Sequence, residues 1–436
     1  NGGTYNSVTA TTAANTLIVP ENVTVKSLTV NQGNVKLYGE VSAVSKGSSY
    51  TGTIYRCIGS QKSFDNLVAD ETSGYSEILI ESAAGAIDGK NTVLTKPMTV
   101  SADVSLSNVV MNVPNGEAEN GAEYGGYGCA AILIIDGAGN AVFDNIESKN
   151  GDQVRTFLVS GTTAGVTVRN SKLIVPNLAN KAGFNIHCMT SESVLTANLE
   201  NCYIGVNGVL LNKDKNVDYD YTDDMTASAG KMTRGVSVSC ENLYGTVKLN
   251  MDGTVAEGIS YVVNIAGCHA AMDVDIENCI LDGRAALNLR GQGGGTYVVK
   301  NSKLIGRNWF PGQTENFATI VFEDFNDDGW YTENHVVTLD NTEVVAYSDP
   351  QTETNWQYLA TMRSRAYNKL VLRNHSGFRE IYNPRLDYLV EVYNPVNEVE
   401  WDETFTIEGK EGATVLPGWD GQSTEEIIPN VAGEYE

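Results

Sequence analysis

The sequence predicts an all-β chain, wound as a single-stranded, right-handed parallel β-helix with loop insertions and capped ends. Three observations predict it: one short grammar recurs along the chain, its spacing suits a single coil, and the composition favours strands and turns. The grammar reads apolar, polar, Asn, small, apolar, as in "IENCI", "VRNSKL", "LENCYI", "VKNSKL" and "LDNTEV". Glycine is plentiful at 43 of 436 residues, and Val, Ile, Thr, Asn and Ser dominate the periodic segments. Such residues favour strands and tight turns over helices.

The anchoring asparagines are Asn108, Asn145, Asn170, Asn201, Asn242, Asn278, Asn301, Asn341 and Asn374. Two positions before them stand Leu106, Phe143, Val168, Leu199, Cys240, Ile276, Val299, Leu339 and Leu372, each separated from its anchor by one polar residue. This in-and-out alternation is the period of a half-buried strand. A second strand is expected after each anchor, as in "AAILIIDG", "TFLVSG", "GFNIHC", "VVNIAG", "AALNLRG", "ATIVFED" and "YLATMR". The shortest spacing, from 278 to 301, is 23 residues, and longer ones absorb insertions. Units this short cannot bury an apolar face alone, so they must stack as coils of a solenoid. A leucine-rich repeat would need a helical half, and a propeller blade would need four antiparallel strands in about 40 residues. At each corner the Asn is expected to turn inward and satisfy the backbone of neighbouring coils.

The grammar covers residues 75–395. Residues 1–74, with "LIVPENVTVKSLTV" and "NVKLYGEV", read as first coils or an N-terminal cap. Residues 396–436, with "EVEWDETFTIEG" and an acidic tail, read as a C-terminal cap that blunts the open edge.

Charge excludes several partners. With 29 Lys and Arg against 54 Asp and Glu, the net charge is −25, opposite to the basic footprint that nucleic acid requires. Passive attraction to anionic membranes or anionic polysaccharides is disfavoured for the same reason. No apolar run approaches the roughly 20 residues needed to span a bilayer. Nothing in the opening "NGGTYNS" reads as a signal peptide, and the chain starts without Met. Of the seven cysteines, Cys202 and Cys279 follow the anchor where Ser171, Ser302 and Thr342 stand in sister repeats. They are read as small buried thiols, and no C-x-x-C pair points to metal.

The repeat grammar resembles that of the right-handed parallel β-helix superfamily typified by pectate lyases and polygalacturonases. The resemblance implies a long shallow groove for polysaccharide and an extracellular or cell-surface setting. It leaves three activities open: polysaccharide lyase, glycoside hydrolase, and a non-catalytic structural or adhesive surface protein. In lyases of that kind a basic residue abstracts a proton, a role for which Arg284, Arg290 and Arg307 are the candidates. No segment matches the lyase motifs, and the nearest imitation of a polygalacturonase motif, "GCHAA" at Gly267–Ala271, lacks the second glycine.

Independently of any family, the second strand set carries a column of polar residues alternating with the apolar ones. It runs through Asp136, Ser160, Asn185, His187, Asn264, Asn288, Arg290, Glu323 and Arg363, spaced by about 4.8 Å per coil, which suits a chain-like ligand. The bland alternative is an ordinary solvated sheet face. Three insertions add Trp309, Trp330 and Trp356, whose rings can stack on sugar faces or fold back as lids. The expected partner is therefore a glycan, read at His187, Asn264, Asn288, Arg290, Trp309, Glu323, Trp330, Trp356 and Arg363.

One local motif points to calcium. Asp324, Asn326 and Asp328, followed by Gly329, match the D-x-N-x-D-G opening of calcium loops, although the closing bidentate Glu position holds His335. A second acidic insertion alternates Asp214, Asn216, Asp218 and Asp220. If the first loop binds the ion, calcium should raise the melting temperature, and Asp324→Ala with Asp328→Ala should abolish the rise. A parent protein indifferent to millimolar calcium would reduce the motif to a turn.

Overall fold

The computed structural model describes residues 2–68, 74–113, 130–148, 155–174, 182–205, 233–240, 245–290, 293–307, 317–323, 334–348, 357–364, 366–381, 388–392, 397–408 and 414–417. They fall into two compact units, residues 1–171 and 172–436. Each is all-β, and each is built from coils of short strands paired in parallel with the coil before and after. The predicted parallel β-helix is the fold of both.

In the first unit a coil consists of three strands, which stack into three walls, here A, B and C. Gly3–Tyr5, Val8–Ala10 and Leu17–Val19 make the first coil. Their partners one coil on are Val23–Val25, Leu28–Val30 and Val35–Leu37, in the registers Gly3↔Val23, Val8↔Leu28 and Leu17↔Val35. Alternate Val and Leu side chains from all three walls close into one core. One helix, Gln61–Val68, lies between the wall C strands Ile54–Cys57 and Glu77–Ile80, which pair directly. Beyond it the strands Gly85–Leu94, Val104–Met111 and Ala141–Ser148 run without a break from wall A into wall B.

In the second unit wall A comprises Val194–Glu200, Thr246–Asp252, Ala271–Glu277, Gly295–Lys300, His335–Asp340, Lys369–Arg373 and Glu398–Trp401. Wall B comprises Lys172–Ile174, Tyr203–Gly205, the first halves of Val255–Cys268 and Ile280–Arg290, then Lys303–Arg307, Glu343–Tyr347, Gly377–Ile381 and Thr406–Glu408. Wall C comprises Ala182–Cys188, Arg234–Cys240, the second halves of the two long strands, then Phe317–Phe322, Gln357–Met362, Tyr388–Val392 and Thr414–Pro417. The apolar residue two before each described anchor is buried as the grammar requires, from Leu106 in the first unit to Leu199, Ile276, Val299, Leu339 and Leu372 in the second.

The corner asparagine does not do what the sequence suggested. Asn108, Asn145, Asn170, Asn201, Asn278, Asn301, Asn341 and Asn374 all take the left-handed conformation, with φ between 48° and 57°. All but the half-buried Asn108 are exposed. The residue is Asn because its short side chain tolerates that conformation and can bond locally. Its amide reaches along the outside of the solenoid to an acid or another Asn on the neighbouring coil. Asn108 donates to Asp88 at 2.9 Å, Asn145 to Asn108 at 2.7 Å, Asn278 to Asp252 at 2.9 Å and Asn341 to Asn301 at 2.7 Å. The amides of Asn108 and Asn170 are the leading cause that holds the Asp88 and Asp144 carboxyls below the usual carboxylate range.

The inward task falls to the small residue that follows. Ser302 Oγ accepts the Cys279 N–H at 3.0 Å and donates to the Lys300 carbonyl at 2.6 Å. Ser171 does the same for Ile146 N–H and the Arg169 carbonyl. Asn242 lies outside the described residues, and the corner between Asn201 and Asn278 is Gly253, at φ 59°. A Cβ there would meet Asn201 Oδ1 at 2.5 Å, so glycine serves both the turn and the amide beneath it. Inward amides do occur, at the opposite corner from wall C to wall A. There Asn368 Oδ1 accepts the His335 N–H at 2.9 Å, and Asn397 Oδ1 accepts from Asn368 Nδ2 at 2.9 Å.

Cys57, Cys188, Cys202 and Cys279 are free and buried, as small thiols in the core. Burial pushes the Cys188 thiol up to about 12 and the Cys279 thiol up to about 11, which suppresses the reactive thiolate. Ser302→Ala should cost about 1–3 kcal/mol in denaturant unfolding, because the Cys279 N–H loses its buried acceptor. Asn301→Gly should cost far less, since glycine takes the same conformation freely. Reversal of that order would put the corner's stability back on the asparagine.

Candidate functional site

In the second unit the polar column of wall C is real as a register but is not a solvated face. Asn185, Ser237, Asn264, Asn288, Val321, Thr361 and Glu391 stand side by side on successive strands. They alternate with the apolar run through Phe184, Ile186, Val263, Ile265, Leu287, Leu289, Ile320 and Phe322, so they occupy the other face of the wall. Both faces are covered: Asn185 is 3% exposed, Asn264 2% and Asn288 0%. The amides bond to one another along the column. Asn264 Nδ2 donates to Ser237 Oγ at 3.3 Å, and Asn288 Nδ2 donates to Asn264 Oδ1 at 2.7 Å. Thr361 Oγ1 donates to Glu391 at 2.9 Å.

The neighbouring row is wetter. Arg290 pairs with Glu323 at 3.3 Å, both side chains about one-third exposed, and Arg363 pairs with Glu391 at 3.3 Å. His187 is buried, and its Nδ1 donates to the Ser239 carbonyl at 2.7 Å. In the first unit Ser160 is buried, and Asp136 Oδ1 accepts the backbone N–H groups of Thr162 and Thr163, which makes it a turn brace. Trp309, Trp330 and Trp356 lie outside the described residues. So do Asp324, Asn326 and Asp328, and the second acidic insertion. Among the described residues no group of His, Cys, Asp and Glu could hold a metal ion.

Wall B of the second unit carries chemistry that the sequence reading passed over. Glu257 and Asp282 are neighbours in register, each followed by a glycine, and both are fully buried. Tyr203 donates its hydroxyl to Glu257. Arg307 forks onto Asp282 through Nε and Nη2, and its guanidinium lies 4.7 Å over the Tyr347 ring. Burial is the leading influence on the Asp282 carboxyl and pushes it up, while the Arg307 bonds pull it down. Arg307, a candidate base by resemblance, is therefore held as a buried ion pair. The signal for this pair was "VAEG" and "ILDG" recurring 25 residues apart, with an acid at a position that elsewhere is Ile305 or Val345.

Farther along wall B the same face opens to solvent. A groove of about 310 Å³ is lined by Asn301, Ser302, Asn341, Glu343, His375, Gly377, Phe378, Arg379, Thr406 and Glu408. Its position follows from the corner. The left-handed residues Asn301, Asn341 and Asn374 turn the chain out of wall A, which leaves the first residues of wall B to form the floor. Glu343, Gly377 and Thr406 are adjacent in register, and so are Arg379 and Glu408. Glu343 bonds Lys303 at 3.0 Å through Oε2 and Arg379 at 3.1 Å through Oε1. None of these groove residues was among those predicted for ligand contact. Their polar character was legible, but no periodic rule marks which outward face becomes concave.

Comparison with protein-family models, with curated proteins and with solved structures gives no match.

The wall C column makes its own prediction. Val321 interrupts it, and Asn288 Oδ1 is buried without a hydrogen-bond partner. Val321→Thr, nearly equal in volume, places a hydroxyl beside that acceptor and should stabilise the protein by about 1 kcal/mol. A loss of similar size in thermal unfolding would mean that the hydroxyl finds no partner and that the column ends at Asn288.

Proposed function

We propose that this chain is an extracellular or cell-surface solenoid of the pectate lyase and polygalacturonase superfamily that binds a polysaccharide along the wall B face of its second unit. The observation that carries the reading is the open groove. It crosses four successive coils at Asn301, Asn341, Gly377 and Thr406, about 14 Å at the usual strand spacing of roughly 4.8 Å. That is a linear array of hydroxyl, amide and charged groups, suited to a chain with a repeating unit rather than to a compact ligand. No helix among the described residues is long and apolar enough to cross a membrane.

Binding without cleavage is favoured over processing by two observations. Glu257 and Asp282 are sealed from solvent. In the groove, Glu343 is held between Lys303 and Arg379, so among the described groove residues Glu408 has no second unengaged carboxylate beside it for paired acid–base work.

A glycan array read together with reducing-end and unsaturated-product assays tests the reading. The expected outcome is retention of one glycan class without product, weakened by Arg379→Ala by about 1–3 kcal/mol. Product formation would restore the enzymatic alternative. Retention of no glycan at all would remove the reading.

A further inference from the structure

We infer that the groove takes a neutral sugar unit, bound through its hydroxyls and seated over Gly377, and that it rejects uronates; this rests on the glycan reading above. The first support is the absence of a side chain at the centre of the floor. Gly377 stands in register between Glu343 and Thr406, both of which project polar atoms into the groove. A Cβ on Gly377 would meet Thr406 Oγ1 at 2.8 Å. Its φ is not in the left-handed region, so the turn does not require glycine there. What the missing side chain provides is room for Thr406 Oγ1 on the floor, beside the buried Phe378.

The second support is charge. The groove and its rim hold two carboxylates, Glu343 and Glu408, two fixed cations, Lys303 and Arg379, and one imidazole, His375. Both cations are already engaged on Glu343. An anionic sugar would therefore have to share Lys303 or Arg379 with Glu343, within a chain of net charge −25. A cationic sugar would pair with Glu408 alone, or displace Lys303 or Arg379 from Glu343. A hydroxylated neutral ring needs neither exchange. It can donate to Glu408 and Thr406 and accept from Arg379 N–H groups left over from the ion pair. The groove's volume of about 310 Å³ is at the small end of ligand sites, which limits the tightly held part to one or two rings.

The test is titration calorimetry of the full chain with neutral and uronate oligosaccharides of matched length, at two salt concentrations, for the parent and Gly377→Val. Valine suits a strand and keeps the backbone conformation, and a melting curve confirms that the variant is folded. The expected result is binding of a neutral oligosaccharide with little salt dependence, weakened at least about tenfold by Gly377→Val. A second variant, Thr406→Val, removes one hydroxyl without filling the floor and should weaken binding less. Uronate binding that is lost in Gly377→Val would overturn the charge argument and leave the glycan reading standing. Neutral binding untouched by Gly377→Val would overturn the placement. Binding of neither class would count against the glycan reading itself, and the inference would go with it.

Discussion

From Gly85 onward, both units depend on the corner where wall A turns into wall B. Each coil must turn from one wall into the next within a residue or two, at a fixed place, without leaving a buried backbone group unpaired. A left-handed residue makes the turn, and Asn is the side chain that tolerates it while bonding to the coil next door. The small residue after it then meets the buried N–H of the coil beneath. Shift that corner by one residue and every apolar side chain of wall A leaves the core. The stack from Glu200 through Asp252, Glu277, Lys300 and Asp340 to Arg373 holds its register across all the intervening insertions.

Because the corner holds register, the walls are free to differ in what they carry. Wall C in the second unit buries amides on its second face, where Asn288 donates to Asn264 and Asn264 to Ser237. Wall B buries an acid pair at one end and opens a polar groove at the other. The change takes place within a few coils along the same outward rows. Where Glu257 and Asp282 give way to Ile305 and Val345, a small apolar patch with Tyr347 separates the buried ions from the open groove. Charge that would be costly if unpaired in the interior is paired there, and charge at the groove is paired but wet.

The buried ion cluster and the groove illustrate two uses of the same residue types. Arg307 and Asp282 lie under a Tyr ring and are almost completely removed from water, so breaking either partner leaves a buried charge behind. Arg379 and Glu343 face solvent and contribute little to stability by comparison. Their worth is in presenting donors and acceptors in a fixed spacing from coil to coil.

How much of this was legible in the residues differs from element to element. The fold class, the parallel coils and the buried positions from Leu106 to Leu372 follow from period-two alternation repeated at coil spacing, because only stacked coils can bury faces so short. The thiols at Cys202 and Cys279 were legible from their alignment with Ser and Thr. The direction of the asparagines was not, since polarity alone does not say whether an amide turns in or lies along a corner; backbone conformation decides that. The wall C column was found in sequence, yet its burial was not, because covering a sheet face depends on segments far away in the chain. The groove was missed for the same reason. Alternation tells which side chains share a face, whereas concavity arises from how four coils meet at a corner and from one absent side chain at Gly377. Local periodicity is a property of the chain, and depth is a property of the packing.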